Sequence, residues 1–194
     1  MRIIVLIPLL PLILGNVWEK PAEEWTHEEE TYSLHVTDAI MPGLIPLLER
    51  MSESQKHIVA IELDSWGGDG DTGMMLADFV SRWDKKVVVI NRCNSSCAFA
   101  ALVALGQGKL WVGPNASVGV HQVHETETGI PDRRWTERAA KYLRRYGAPK
   151  APLDAMVRTP PGSMTVLHES QLIELGAAAL PMGWKWWLFG ESNE

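Results

Sequence analysis

The 194-residue chain has few cysteines, no excess of positive charge and no apolar run as long as a membrane span. Two cysteines are too few for a disulfide framework or for a four-ligand zinc site. The formal net charge of -6 gives no support for nucleic acid as a partner. We therefore expect no metal site and no nucleic-acid partner.

The two cysteines, Cys93 and Cys97, flank a polar turn. We favour an interpretation as two small, buried, unbonded side chains, because free cysteine packs as a small hydrophobe. A disulfide or a redox pair is the alternative.

Nucleotide-binding loops are also missing. A glycine-rich turn follows the apolar segment that ends at Leu63, but it lacks the Gly-Lys-Ser/Thr ending of a phosphate loop. The spacing Gly68-x-Gly70-x-x-Gly73 fits a dinucleotide fingerprint by count. No acidic residue ends a second strand about 20 residues later, as that fingerprint requires. We expect no cofactor.

The N-terminus is apolar from residue 3 to residue 15 and follows Arg2. This run is shorter than the roughly 20 residues of a spanning helix, and two prolines interrupt it. It predicts a signal peptide or short membrane anchor over residues 1–18, with a buried first strand as the alternative. Residues 19–30 are acidic and predict a solvated linker. We expect an exported, periplasmic or membrane-associated protein.

Alternating strand-like and helix-like segments predict one globular α/β domain over residues 31–178, with a mostly parallel sheet and packed helices. A tryptophan-rich tail follows over residues 179–194. Apolar spacing predicts strands near 32–36, 58–63, 87–90, 109–112 and 117–120, and helices near 43–51, 73–83, 98–105, 135–146, 153–158 and 167–175.

The stretch from Lys86 to His121 carries the residues on which the predicted function depends. Its residue pattern predicts a strand, a polar turn over 91–97, a buried helix, a strand and then a histidine. A serine at a helix N-terminus is well placed for nucleophilic attack, because free N–H groups there stabilise a developing oxyanion. A neutral histidine is the usual base for such a serine.

Three motifs, in this order, resemble the ClpP/crotonase superfamily, most closely its small ClpP-like, periplasmic-type serine proteases. That family has a Ser-Pro-Gly-Gly turn, a Cys-x-Ser-Ala-Cys nucleophile turn and a Gly-x-His motif. The matching segments are Asp64-Ser65-Trp66-Gly67-Gly68-Asp69, Cys93-Asn94-Ser95-Ser96-Cys97 and Pro114-Asn115-Ala116-Ser117-Val118-Gly119-Val120-His121, and Thr159-Pro160-Pro161 to Gly176 resembles the closing region.

The resemblance implies repeated β-β-α units and a Ser-His-Asp triad. Ser95 matches the nucleophile by its place in Cys-x-Ser, although counting back from His121 fits Ser96 comparably. His121 matches the base. With Ser95 as nucleophile, the backbone N–H groups of Gly68 and Ser96 would form the oxyanion hole. Trp66 stands where the family has proline. This difference alters the surface on which the substrate strand would lie.

The third triad member has no match. The family's aspartate falls near Met164, where no acid stands, and the nearby acids Asp154 and Glu169 are out of place. Ser163 could orient the histidine more weakly. His124, three residues after His121, is expected on the opposite strand face because side chains alternate, so the two would not share a metal.

The resemblance thus implies a ClpP-like serine endopeptidase that hydrolyses extended peptides or unfolded proteins through a Ser-His pair. A catalytically impaired relative that binds peptides or partners is the alternative. Acyl-CoA chemistry on the related crotonase fold is a third possibility, for which a Ser-His pair is not expected. We expect a homo-oligomer, and the tryptophan-rich tail predicts a subunit or membrane contact.

Overall fold

The computed structural model describes residues 32–54, 58–125 and 127–181. The predicted signal peptide, the acidic linker and most of the tryptophan-rich tail lie outside this part. The described elements, in chain order, are β1 (Tyr32–Val36), α1 (Leu44–Ser54), β2 (Ile58–Ser65), α2 (Gly70–Arg82), β3 (Lys86–Asn94), α3 (Ser96–Gly106), β4 (Leu110–Val112), β5 (Ser117–Val120), α4 (Arg133–Arg145), α5 (Lys150–Arg158), β6 (Thr165–His168), α6 (Glu169–Glu174) and β7 (Ala178–Ala179).

The strands form one sheet in which β1, β2, β3, β4 and β7 are neighbours in that order and run parallel. The first half of β3 pairs with β4, and its end pairs with β5, which is also parallel. Only β6 is antiparallel, against β5, among the described strands. The prediction of an α/β fold with a mostly parallel sheet and packed helices is confirmed.

The core lies between the sheet and the helices. Val87 and Val89 on β3 face the main cluster, whereas Val88 and Ile90 face a small cluster on the other side of the sheet. Burial on both faces explains why β3 is apolar without alternation. Helix α3 is buried over nearly its whole length, as its uniformly apolar sequence requires.

Two predicted boundaries are wrong in ways that affect the site. The polar turn predicted over 91–97 is mostly strand and helix, because β3 continues to Asn94 and α3 begins at Ser96. The single helix predicted over 167–175 is instead β6 followed by the short α6. Pairing with β5 provides β6 with backbone partners that a sequence pattern does not reveal.

Candidate active site

Ser95 is the single residue between β3 and α3, and its backbone has φ 54 and ψ -124. Residues other than glycine seldom adopt positive φ, and such strained positions cluster at active sites. The Ser95 N–H donates to the Gly119 carbonyl at 2.8 Å, and the Ser95 carbonyl accepts from the Ala98 N–H at 3.0 Å. These contacts hold the half-buried serine in a sharp elbow at the helix N-terminus.

A disulfide spans this elbow. Cys93 and Cys97 are bonded, with their Cα atoms 5.1 Å apart, and both residues are fully buried. Our preferred interpretation, two unbonded side chains, is therefore wrong, and the disulfide alternative is correct. The direct passage from strand to helix at Ser95 explains the bond, because it brings the two Cα atoms within bridging distance.

Gly67, in the loop after β2, lies against the elbow. A Cβ at this position would lie 2.7 Å from the Cβ of Ser95 and 2.6 Å from the Asn94 carbonyl oxygen, and its φ is +101. Only glycine permits both this close approach and this backbone conformation. The glycine turn and the serine turn follow neighbouring parallel strands, and they meet at the carboxyl edge of the sheet.

The structure distinguishes the two candidate serines. Ser96 is 2% exposed, and its Oγ has no hydrogen-bond partner. It packs against Gly73 of α2, where a Cβ would approach the Ser96 Cβ to 2.6 Å. Ser95 is half-buried and stands at the elbow, so its hydroxyl is the more accessible to a substrate.

The predicted oxyanion donors, Gly68 and Ser96, both adjoin the contact between Gly67 and the elbow, where a Cβ on Gly67 would lie 3.1 Å from the Ser96 nitrogen. The Ile40 N–H donates to the Gly67 carbonyl at 2.9 Å, and the Ile40 carbonyl accepts from the Asp69 N–H at 2.7 Å. These two bonds form a parallel bridge between Ile40 and Gly68. In such a parallel bridge the N–H of Gly68 itself points away from Ile40. The N–H of Ser96 opens α3, where the first turn has no partners within the helix. Neither N–H group is therefore used by the Ile40 bridge or by the hydrogen bonds within the helix.

His121 follows the end of β5 and is 8% exposed. Its Nδ1 lies 2.7 Å from the carbonyl oxygen of Gln122. A carbonyl only accepts hydrogen bonds, so the neutral ring carries its proton on Nδ1 and leaves a lone pair on Nε2. This tautomer is the one that a general base needs.

Burial lowers the pKa of the His121 imidazole below its ordinary value of 6.5; the hydrogen bond to Gln122 acts in the opposite sense, and nearby His124 lowers it further. The neutral ring is therefore the main form at neutral pH.

β3 and β5 pair through Asn94 and Gly119, which brings the two predicted catalytic residues to one edge of the sheet. Among the described residues, no hydrogen bond joins the Ser95 hydroxyl to the His121 ring.

His124 does not point away from His121. The ring centroids are 5.7 Å apart and the planes are tilted by 40°. The alternation argument is wrong because the strand ends at Val120, so the following residues do not keep the strand period. The described part of the chain contains no group of three or more histidine, cysteine, aspartate or glutamate residues that could hold a metal ion.

The two acids considered for the third triad position are engaged elsewhere. Asp154 pairs with Lys150 and Arg144, and Glu169 accepts from the Asn115 N–H at 2.9 Å. Met164, near which the resemblance places the third triad member, lies against Gly119 of β5, where a Cβ would be 2.8 Å from its Sδ. That position carries a thioether instead of a carboxylate.

Sequence reasoning missed the orienting partner of the histidine, the Gln122 carbonyl, because a backbone group leaves no residue signature. It also missed the cation–π contact of Arg92 with Trp66. No protein-family model matches the chain, and no curated protein matches it significantly. None of the helices in the described part is long and apolar enough to cross a membrane.

Proposed function

We propose that this chain is a serine peptidase of the ClpP/crotonase superfamily, exported or membrane-associated, that hydrolyses peptide bonds in extended peptides or unfolded proteins. Ser95 is the nucleophile and His121 is the base in this proposal. The backbone N–H groups of Gly68 and Ser96 form the oxyanion hole. The observation that carries the proposal is the strained Ser95 elbow, at a helix N-terminus and against a glycine loop.

The proposed reaction begins when the Ser95 Oγ attacks the scissile carbonyl and its proton passes to the His121 Nε2. The carbonyl oxygen becomes negative and accepts from the two backbone N–H groups. The imidazolium then protonates the leaving amine, the carbon–nitrogen bond breaks, and an acyl-serine remains. Water, deprotonated by the neutral imidazole, hydrolyses this ester and restores Ser95.

A fluorophosphonate probe tests the nucleophile directly, because the serine oxygen displaces fluoride and forms a stable phosphonate ester. We expect labelling of the full chain, loss in Ser95→Ala and His121→Ala, and substantial labelling in Ser96→Ala. Ser96 contributes only its backbone N–H in this scheme. Loss in Ser96→Ala together with retention in Ser95→Ala would overturn the assignment.

A non-catalytic peptide-binding protein is the second candidate. Two observations favour it: the Ser95 hydroxyl has no hydrogen bond to His121 in the described part, and Met164 occupies the position near which the resemblance places the triad carboxylate. Catalytic hydrogen bonds often tighten only when a substrate is bound, so this geometry alone does not exclude catalysis. Peptide binding without labelling or hydrolysis between pH 5 and pH 9 would support this candidate.

A further inference from the structure

Trp66 is the most exposed large apolar side chain in the described part of the chain, at 70%. A tryptophan normally buries most of its surface, so this exposure leaves a large apolar surface uncovered. The residue directly precedes Gly67, where a Cβ would lie 2.7 Å from the Ser95 Cβ. The exposed ring therefore originates one residue away from the glycine that touches the candidate nucleophile.

The indole is held in place from one side. The Arg92 guanidinium lies over the ring, 4.2 Å from its centroid, in a cation–π contact. The Arg92 Nε also donates to an Asp64 oxygen at 3.2 Å, and the other Asp64 oxygen accepts from the Asn91 amide at 2.7 Å. This chain of contacts orders the ring before any ligand arrives, which reduces the entropy lost on binding.

The same contacts decide which ligand chemistry suits the ring. Asp64 neutralises the charge of Arg92, so the assembly offers an uncharged surface instead of an anion site. One face of the indole is covered by the guanidinium, and the 70% exposure leaves the rest to solvent. Met41, exposed at 55%, follows Ile40, which bonds to the same glycine turn. An aromatic or large aliphatic group would bury the most surface here.

We infer that Trp66 is a specificity-determining residue that stacks on an aromatic or large aliphatic side chain of a bound peptide, close to the scissile bond. This inference rests on the proposed function, because it assigns a substrate class to the same site. Aromatic contacts add roughly 0.5–1.5 kcal/mol beyond area burial, a factor of roughly 2 to 12 in affinity.

Peptide binding to the full chain carrying Ser95→Ala tests the inference without cleavage. The probes are fluorescein-labelled alanine hexapeptides with one internal position occupied by Phe, Leu, Ala or Glu, measured by fluorescence anisotropy. We expect the Phe and Leu peptides to bind roughly 3- to 10-fold more tightly than the Ala peptide, and the Glu peptide to show no gain. Adding Trp66→Ala should abolish this preference, whereas Trp66→Phe should retain most of it.

Ile173→Ala is the matched control, because Ile173 is also an exposed apolar residue, on α6, and should leave the preference unchanged. A Phe preference that persists in Trp66→Ala, or the absence of any preference, would overturn the inference. A change in oligomer mass in Trp66→Ala with no change in preference would also overturn it and would identify an interface between copies. If fluorophosphonate labelling fails but the peptide preference still depends on Trp66, only the proposed catalysis is rejected.

Discussion

The hydrogen bond between His121 and the carbonyl of Gln122 determines what the histidine can do. A carboxylate in a serine triad both selects the tautomer and stabilises the imidazolium that forms during attack. A backbone carbonyl selects the same tautomer, but it has no net charge with which to stabilise the cation. We therefore expect an intact geometry for the base together with turnover below that of a full triad.

The first prediction concerns pH. Burial lowers the pKa of His121 below 6.5; the Gln122 hydrogen bond opposes this shift, and His124 reinforces it. Only the neutral ring accepts the serine proton. Fluorophosphonate labelling should be lost as pH falls through this lowered pKa and should be constant from about pH 7 upward. In His124→Gln the midpoint should move to higher pH. A midpoint above pH 7 in the unmodified chain would contradict this assignment.

The second prediction concerns the position near which the resemblance places the triad acid. Met164→Asp introduces a carboxylate directly before β6, where the methionine side chain now lies against Gly119 of β5. The charge should raise the histidine pKa and stabilise the imidazolium, so peptide hydrolysis should increase by about 10-fold or more, within the ~10⁴ that a triad acid can contribute. Met164→Asn is the control, since it is similar in size but uncharged. Equal rates in the two variants would exclude a missing charge as the limiting factor.

The residue-scale features show what a sequence can and cannot predict. The places of Ser95 and His121 follow from local motifs at strand ends, where parallel topology brings them to one edge. The disulfide and the proximity of His121 to His124 depend on where β3 and β5 end, and apolar spacing fixes such boundaries poorly. The Gln122 carbonyl and the stack of Arg92 on Trp66 arise from tertiary contacts that no local pattern encodes.

At the scale of the elements, the site depends on how α2 meets α3. A Cβ at Gly73 would lie 2.6 Å from the Ser96 Cβ and 2.7 Å from its carbonyl oxygen, so the helices touch through this glycine. Two helix N-termini are thereby fixed beside the elbow. The arrangement holds the Ser96 N–H in place for the proposed oxyanion hole.

The third prediction tests this contact. Gly73→Ala should lower the free energy of unfolding by about 1–3 kcal/mol, because the added methyl group meets backbone as well as side-chain atoms. It should also slow labelling of Ser95. Gly162→Ala is the control, since no atom lies within 4 Å of a Cβ there, and its effect should stay within about 0.5 kcal/mol. Equal urea midpoints for the two variants would contradict the close contact between α2 and α3 at Gly73.

The fourth prediction concerns the disulfide between β3 and α3. Cys93 lies in β3, one residue before its end, and Cys97 lies in the first turn of α3, so the bond links the elements that hold Ser95 at positive φ. Replacing both cysteines by alanine should lower the free energy of unfolding by about 2 kcal/mol, the effect expected for so short a loop. The labelling rate should fall as the elbow relaxes. Unchanged urea unfolding and unchanged labelling would show that the bond does not support the site.

At the scale of the whole molecule, exposed apolar side chains lie on neighbouring elements. Met41, before α1, is 55% exposed, Leu47 on α1 is 45% exposed, and Met75 on α2 is 53% exposed. Helices α1 and α2 pack against each other, so Leu47 and Met75 lie on adjacent helices. Clustered exposed apolar residues are typical of interfaces between protein chains.

The last prediction is therefore self-association. Protein lacking residues 1–18 should scatter light as an oligomer, because burying Leu47 and Met75 against a second copy removes apolar surface from water. The double variant Leu47→Glu/Met75→Glu should dissociate, since it would place charges in the contact. Ile173→Glu, on α6, is the control for added charge and should keep the oligomer. A monomer of unmodified sequence at every concentration tested would contradict an interface through Leu47 and Met75, and an oligomer that survives the double variant would locate the contact elsewhere.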